Sequence, residues 1–149
     1  MSGRLKFRKL RLTNWKNFAQ VDIQIADRLF LVGPNASGKS NLLDVFRFLR
    51  DLASSGGGFQ EAVSRRGGVS AIRCLAARRY PDIEVHVELE EGDGSAKWTY
   101  ELAFNQDQQR RSLLRKERVL SGNRELLARP NDDDAADPAR LTQTFLEQV

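Results

Sequence analysis

Gly33-Pro34-Asn35-Ala36-Ser37-Gly38-Lys39-Ser40 is the stretch on which the reading of this chain turns. It satisfies the pattern G-x-x-x-x-G-K-[ST] at every fixed position. Immediately before it, Leu29-Phe30-Leu31-Val32 reads as a short buried strand, part of a third strand over Arg28 to Val32. Immediately after it, Asn41 to Leu52 reads as a helix. Strand, loop and helix in that order suit an anion site. Glycines let the backbone curl until successive N–H groups point inward, and a helix N-terminus adds partial positive charge. The pattern therefore implies binding of a nucleoside triphosphate. Gly33 and Gly38 allow tight turning and close approach of phosphate oxygens. Lys39 is placed to reach the β- and γ-phosphates as a point charge, and Ser40 to offer its hydroxyl to Mg²⁺. Asn35, Ala36 and Ser37 supply backbone donors, with Asn35 also a candidate for the γ-phosphate region.

The helix after the loop is patterned at helical spacing by Leu42, Val45, Phe46, Leu49 and Leu52. Leu43 and Phe48 fall off that stripe, and Asp44, Arg47, Arg50 and Asp51 mark what remains of a wet side. So wide an apolar arc predicts a helix in the middle of a domain, packed on a sheet. Ser54-Ser55-Gly56-Gly57-Gly58 then ends it.

On the N-terminal side, Lys6 to Thr13 alternates as a strand with a slip near Arg8. Asn14 to Phe18 reads as a turn, and Val21, Ile23 and Ile25 mark a second strand. On the C-terminal side, Phe59 to Ser64 reads as a helical turn, and Val69 to Ala77 as a short helix or irregular segment. Ile83, Val85, Val87 and Leu89 alternate strictly with polar residues, as do Trp98, Tyr100, Leu102 and Phe104. The turn sequence Glu91-Gly92-Asp93-Gly94-Ser95 joins them into a hairpin with one apolar and one wet face. Arg111 to Leu120 predicts a further strand, turning at Ser121-Gly122-Asn123 into Arg124 to Ala128. Pro130 to Asp137 reads as a polar loop, and Pro138 as the start of a last helix through Phe145.

Composition sets the class. The chain has 149 residues, of which 40% are hydrophobic and 30% charged, as expected of a globular domain rather than a disordered or membrane one. No apolar run approaches the roughly 20 residues of a membrane span, and the N-terminus has no secretory h-region. Cys74 is the sole cysteine and reads as a small core residue; His86 is the sole histidine, so a structural zinc site is not expected. Together these features place the chain in the cytoplasm. The formal net charge of +4 permits nucleic-acid binding without demanding it. Basic residues cluster at Arg4 to Arg11, Arg65-Arg66, Arg78-Arg79 and Arg110 to Arg118, either as solvated faces or as a phosphate-tracking surface.

The turn Leu10-Arg11-Leu12-Thr13-Asn14-Trp15-Lys16-Asn17-Phe18 and the loop Gly33 to Asn41 followed by Leu42-Leu43-Asp44-Val45-Phe46 together resemble the N-terminal half of ABC-type ATPase heads of the SMC/RecF/OLD group, within the AAA family of ATPases. Trp15 stands where the group more usually has Phe. The resemblance covers residues 4 to 54 well, and the later hairpin only as an antiparallel β lobe beside a nucleotide core. It implies an α/β P-loop NTPase fold of ABC-ATPase type, of which this chain is the N-terminal half: strands, loop and first helix in 1–54, a helical or irregular stretch in 55–80, the β lobe in 81–129, and a loop and helix in 130–149. It implies ATP and Mg²⁺ as ligands. Gly33, Pro34, Asn35, Ala36, Ser37, Gly38, Lys39, Ser40 and Asn41 would line the nucleotide, Lys16 and Asn17 would approach its phosphates and ribose, and Lys39 would be the catalytic cation. Trp15 or Phe18 would either border the adenine or pack in the core. It also implies a homodimer of heads closing on ATP, with DNA or a protein effector such as a nuclease as the further partner, and no membrane. A transporter-type nucleotide-binding subunit is the rival reading, because such subunits use similar loops.

Hydrolysis in that group requires an apolar strand ending in Asp-Glu, a Gln sensing the γ-phosphate and a signature Ser-Gly helix start. Ile83 to Glu91 ends in acids but alternates, Leu120-Ser121-Gly122 sits in a hairpin turn, and Gln143 and Gln148 qualify only by their order along the chain. The expectation is either the N-terminal portion of a longer ATPase or a chain that pairs with something that completes it.

Overall fold

The structure is a computed structural model that describes residues 4–35, 38–54, 58–75 and 81–146. Six antiparallel strands form one sheet in the order β2-β1-β3-β4-β5-β6. They are β1 (Leu5–Trp15), β2 (Phe18–Gln24), β3 (Ile83–Glu91), β4 (Lys97–Gln106), β5 (Ser112–Ser121) and β6 (Arg124–Arg129). Helix α1 (Lys39–Leu52) packs on one face with α2 (Gly58–Ser64) and α3 (Val69–Ile72). After β6 come α4 (Asp132–Ala136) and a 3-10 turn over Pro138–Thr142.

The alternation of the β3–β4 hairpin translates directly into register. Ile83 faces Phe104, Val85 faces Leu102, Val87 faces Tyr100 and Leu89 faces Trp98. A one-residue slip would turn every one of these side chains to the wrong face, so the core fixes the pairing. The slip near Arg8 is a bulge: Phe7 pairs with Leu89 but Lys9 with Glu88. On the inner face Phe48 of α1 stacks on Phe104 at 5.7 Å and tilts against Trp15 at 5.2 Å, while Phe59 of α2 meets Phe104 edge-on at 5.3 Å. These four rings, all fully buried, form the centre of the core. Cys74 is buried, as expected of a small core residue. On the outer face Asp22, Arg11, His86, Glu101 and Arg118 stand directly opposite one another across five strands. Neighbouring charges there are mostly of opposite sign, which stabilises a solvated sheet face.

Several expectations are corrected. Arg28 to Val32 forms no strand: the segment has no ladder partner among the described residues, and Phe30 is 81% and Val32 93% exposed. A strand needs a neighbour for its N–H and C=O groups, and no described segment supplies one there. Phe48, placed off the apolar stripe by spacing, is fully buried, whereas Leu43 is exposed. Asp51, read as wet, is buried in an ion-pair network. The stretch from Pro130 to Asp137 contains α4, started by a capping box. There the Asn131 side chain accepts from the Asp134 amide, and the Asp134 carboxylate accepts from the Asn131 amide.

The helix expected through Phe145 stops at Thr142 because side chains take over its backbone. The Arg129 guanidinium donates to the carbonyls of Arg140 and Gln143, and the Phe145 amide donates to Glu117. Arg129 also pairs with Glu117 at 3.1 Å and Asp134 at 2.7 Å, and all three side chains are 0% exposed. Among the described residues no helix is long and apolar enough to cross a membrane.

Candidate functional site

The loop from Gly33 enters α1 at Gly38, which sits at the N-cap with φ +98°. That left-handed backbone suits glycine, and a second constraint selects it as well. A Cβ at Gly38 would lie 2.3 Å from the Asn17 side-chain amide. The first intrahelical bond runs from the Leu42 amide to the Gly38 carbonyl. Among the described residues no side-chain cap bond is made at Gly38 and no carboxylate sits in the first turn, so the positive end of the helix dipole meets the loop without a fixed negative charge. This donor set suits an anion. Ser40 is exposed in the first turn, and its hydroxyl is the hard oxygen ligand that Mg²⁺ prefers. The Lys39 ammonium folds back onto the carbonyls of Gly33 and Pro34, so a phosphate group entering the loop competes with those oxygens for it. Asn35 and Pro34 are exposed on the loop; Ala36 and Ser37, expected to contribute backbone donors, lie outside the described residues.

The β1–β2 turn is fastened against this helix start. Trp15 pairs with Phe18, leaving Lys16 and Asn17 as the turn. Asn14 and Lys16 adopt positive φ, 58° and 51°. Such conformations are costly for side-chain-bearing residues and persist where surroundings over-determine them. Here the surroundings are explicit. The Cys74 amide donates to the Asn14 carbonyl, the Lys16 amide donates to the Ile72 carbonyl, and Asn14 donates its side-chain amide to Asp82. On the other side the Trp15 indole donates to the Asn41 carbonyl at 2.8 Å, and the Asn41 side chain donates to Asn17 at 3.0 Å. Lys16 pairs with Asp44 of α1 at 3.0 Å. The turn and the helix start are therefore adjacent. Trp15 is wholly buried, which assigns it to the core and not to an adenine platform; Phe18 is half-buried against the same core.

Two acids that spacing puts on the wet side of α1 are instead part of this region. Asp44 and Asp51 stand two helical turns apart on α1, and Arg66, just beyond α2, bridges them. Burial raises the Asp44 carboxyl, but hydrogen bonds from Arg66 and Lys16 outweigh it and hold it below the usual carboxylate value. Asp51 is lowered against burial in the same way, by Arg50 and Arg66. The available signal was the pair of acids on one side of an otherwise apolar helix. Of the other candidates, Leu120-Ser121-Gly122 lies at the β5–β6 turn, and Ile83–Glu91 is an antiparallel lobe strand. Gln143 has an exposed side chain and a carbonyl held by Arg129, and Gln148 lies outside the described residues.

Comparison with known proteins agrees with this geometry. The family model described as "AAA domain, putative AbiEii toxin, Type IV TA system" matches residues 29–146, and the "P-loop containing region of AAA domain" matches residues 7–49. The DNA replication and repair protein RecF of Synechocystis is 31% identical over 108 residues, covering 71% of this chain and 27% of that protein. RecF of Brucella abortus is 30% identical over 90 residues, covering 55% of this chain and 22% of that protein. The chain thus spans about a quarter of the length of the curated relatives it matches. Among solved structures, one from work on ATP-driven dimerization and DNA-stimulated activation of SMC ATPases superposes with a TM-score of 0.52 at 20% identity, covering 81% of this chain and 72% of the other. The recombination mediator protein RecF with ATPrS, from the RecFOR pathway, superposes with a TM-score of 0.52 at 16% identity, covering 85% of this chain and 29% of the other.

Proposed function

Because the chain belongs to the AAA-domain family, as part of an ABC-type ATPase head of the SMC/RecF group, we propose that it binds ATP with Mg²⁺ between the Gly33–Ser40 loop and the Lys16–Asn17 turn. The observation that carries the reading is Gly38: a left-handed N-cap opening α1, whose first two residues are Lys39 and Ser40 and whose first turn holds no acidic residue. The leading amides of α1 would hold phosphate oxygens, Lys39 would neutralise the β- and γ-phosphates, and Ser40 would hold the metal ion. Mg²⁺ supplies charge neutralisation at the phosphates when bound. Asn17, held by Asn41 over Gly38, borders the same space. The test is equilibrium binding of ATP with and without Mg²⁺, comparing wild type with Lys39→Ala. Loss of binding in the variant is expected, and equal affinity of the two proteins overturns the assignment.

In the whole protein we place this head in an ATPase that closes as a dimer on ATP and couples hydrolysis to a DNA transaction, in genome maintenance or anti-phage defence, in the cytoplasm. The kinship with RecF supports the DNA reading. It is tested by duplex binding of the full-length protein with ATP across a salt series; affinity insensitive to salt removes its support. A second reading is an ATP-operated switch on a protein effector. It is favoured by the ion-pairing of cations on the sheet and the C-terminal segment: Arg8, Lys116, Arg118 and Arg140 each touch a carboxylate, which leaves less bare positive surface than the sequence suggested. A partner co-purifying only under ATP distinguishes it.

A further inference from the structure

The network around Asp44 holds two carboxylates, Asp44 and Asp51, against three cations, Lys16, Arg50 and Arg66. It therefore carries one positive charge in surplus, and hydrogen bonding shows where that charge sits. Arg66 is fully committed. Its Nε and Nη2 donate to the two oxygens of Asp44, both Nη1 and Nη2 reach Asp51, and Nη1 also donates to the Ala62 carbonyl. Its guanidinium lies over the Phe48 ring at 5.3 Å and its side chain is 9% exposed, so it cannot turn elsewhere. Arg50 is largely in water and pairs with Asp51 alone. Lys16 differs from both. Its ammonium has three donors, and a single hydrogen bond, to Asp44 Oδ2, accounts for one of them among the described residues. Asp44 is already neutralised in bidentate fashion by Arg66, so Lys16 is held by the pair without being consumed by it.

The anchor also has a direction. Asp44 follows Ser40 by one helical turn and shares its side of α1. Asn17, the next residue after Lys16, touches Asn41 and overlies Gly38. The left-handed backbone of Lys16, tied to the Ile72 carbonyl, fixes where its side chain starts, and Asp44 fixes where it ends.

We propose that Asp44, locked by Arg66, is a positioning residue for nucleotide binding: it holds the Lys16 ammonium beside the phosphate loop, so that a triphosphate meets a second cation already in place next to Lys39. The proposal rests on the reading of Gly33–Ser40 as a nucleotide loop. An acidic side chain next to a polyanion site would by itself repel the ligand. Here its effect is favourable, because it acts through Lys16 and spares the lysine the entropy of ordering at the moment of binding.

The test is ATP binding by the 149-residue chain in Asp44→Asn, Asp44→Glu, Lys16→Met and the two double variants, with Lys39→Ala as reference and circular dichroism to establish folding. Asp44→Glu keeps a carboxylate for Arg66 while displacing the lysine anchor, so it serves if Asp44→Asn fails to fold. Lys16→Met is expected to weaken ATP about tenfold, and each Asp44 variant to weaken it severalfold when Lys16 is present and not at all in the Lys16→Met background. An Asp44 effect of equal size in both backgrounds, or none in a folded variant, overturns the positioning role. If Lys39→Ala binds ATP as tightly as wild type, the nucleotide-loop reading itself falls. If it does not, while Asp44 acts independently of Lys16, only the present proposal falls.

Discussion

The indole N–H of Trp15 donates to the main-chain carbonyl of Asn41 at 2.8 Å, joining the end of β1 to the first turn of α1. One buried side chain thus serves the core through its ring and the phosphate loop through its nitrogen. Replacing Trp15 with Phe keeps an aromatic ring in the core but removes the donor and leaves a void. The expected cost is about 2–3 kcal/mol of stability, combining a lost hydrogen bond with incomplete repacking. ATP affinity should fall as well, because the Asn14–Phe18 turn loses one of its ties to the start of α1. Urea denaturation and nucleotide titration of the same variant check both parts.

Gly38→Ala meets two separate obstacles. The new Cβ collides with the Asn17 amide, which can swing away only by giving up Asn41. The φ of +98° remains unfavourable for alanine by about 1–2 kcal/mol even after Asn17 moves. Adding Asn17→Ala should therefore recover part of the lost stability and none of the contact with Asn41. Full recovery in the double variant, read from thermal unfolding, would show that the backbone cost is absent.

Arg129→Met should be the most destabilising of these substitutions. It leaves Glu117 buried without a cation and Asp134 with Arg140 alone, at a cost of about 3–5 kcal/mol. The segment from Asn131 to Leu146 should lose hydrogen-exchange protection before β3 and β4 do, since Arg129 holds its carbonyls at Arg140 and Gln143. Uniform loss of protection over the whole sheet would contradict this order.

Acid should loosen the same corner. The Arg129 guanidinium, working against burial, lowers the Asp134 carboxyl from 3.8 to about 2. A depressed folded-state pKa contributes stability that is present above the unfolded value and lost as pH falls toward the folded one. On the order of 2 kcal/mol should therefore disappear between about pH 4.5 and pH 2. Asp44 and Asp51, also lowered, act in the same direction. Urea midpoints at pH 7, 4 and 2.5 follow the loss, and Asp134→Asn should flatten the profile in that window.

What could be read before folding was what is local. Gly33 to Ser40 carries its chemistry in eight consecutive residues, and the strict alternation of Ile83 to Leu89 and Trp98 to Phe104 admits only registers that keep both apolar rows on one face. The turn at Asn14 to Phe18 was legible as wording, although its backbone conformation was not. Arg28 to Val32 shows the boundary: its residues favour a strand, yet strand hydrogen bonds belong to pairs of segments, and no described segment pairs with it. Phe48 shows another, because helical spacing on so apolar a helix admits more than one buried stripe and only the facing Phe104 and Trp15 choose among them.

The sequence by itself determined the phosphate loop, the lobe hairpin and the family, because short-range pattern and alternation encode them. Tertiary structure alone decided that Asp44 and Arg66 stand behind Lys16, that Asn17 closes over Gly38, and that Arg129 holds the C-terminal segment. Those partners come from different elements of the chain, and a charge in a sequence looks the same whether water or a buried carboxylate will face it. Burial makes the difference: it strips the charge of water and leaves the carboxylate as its necessary partner.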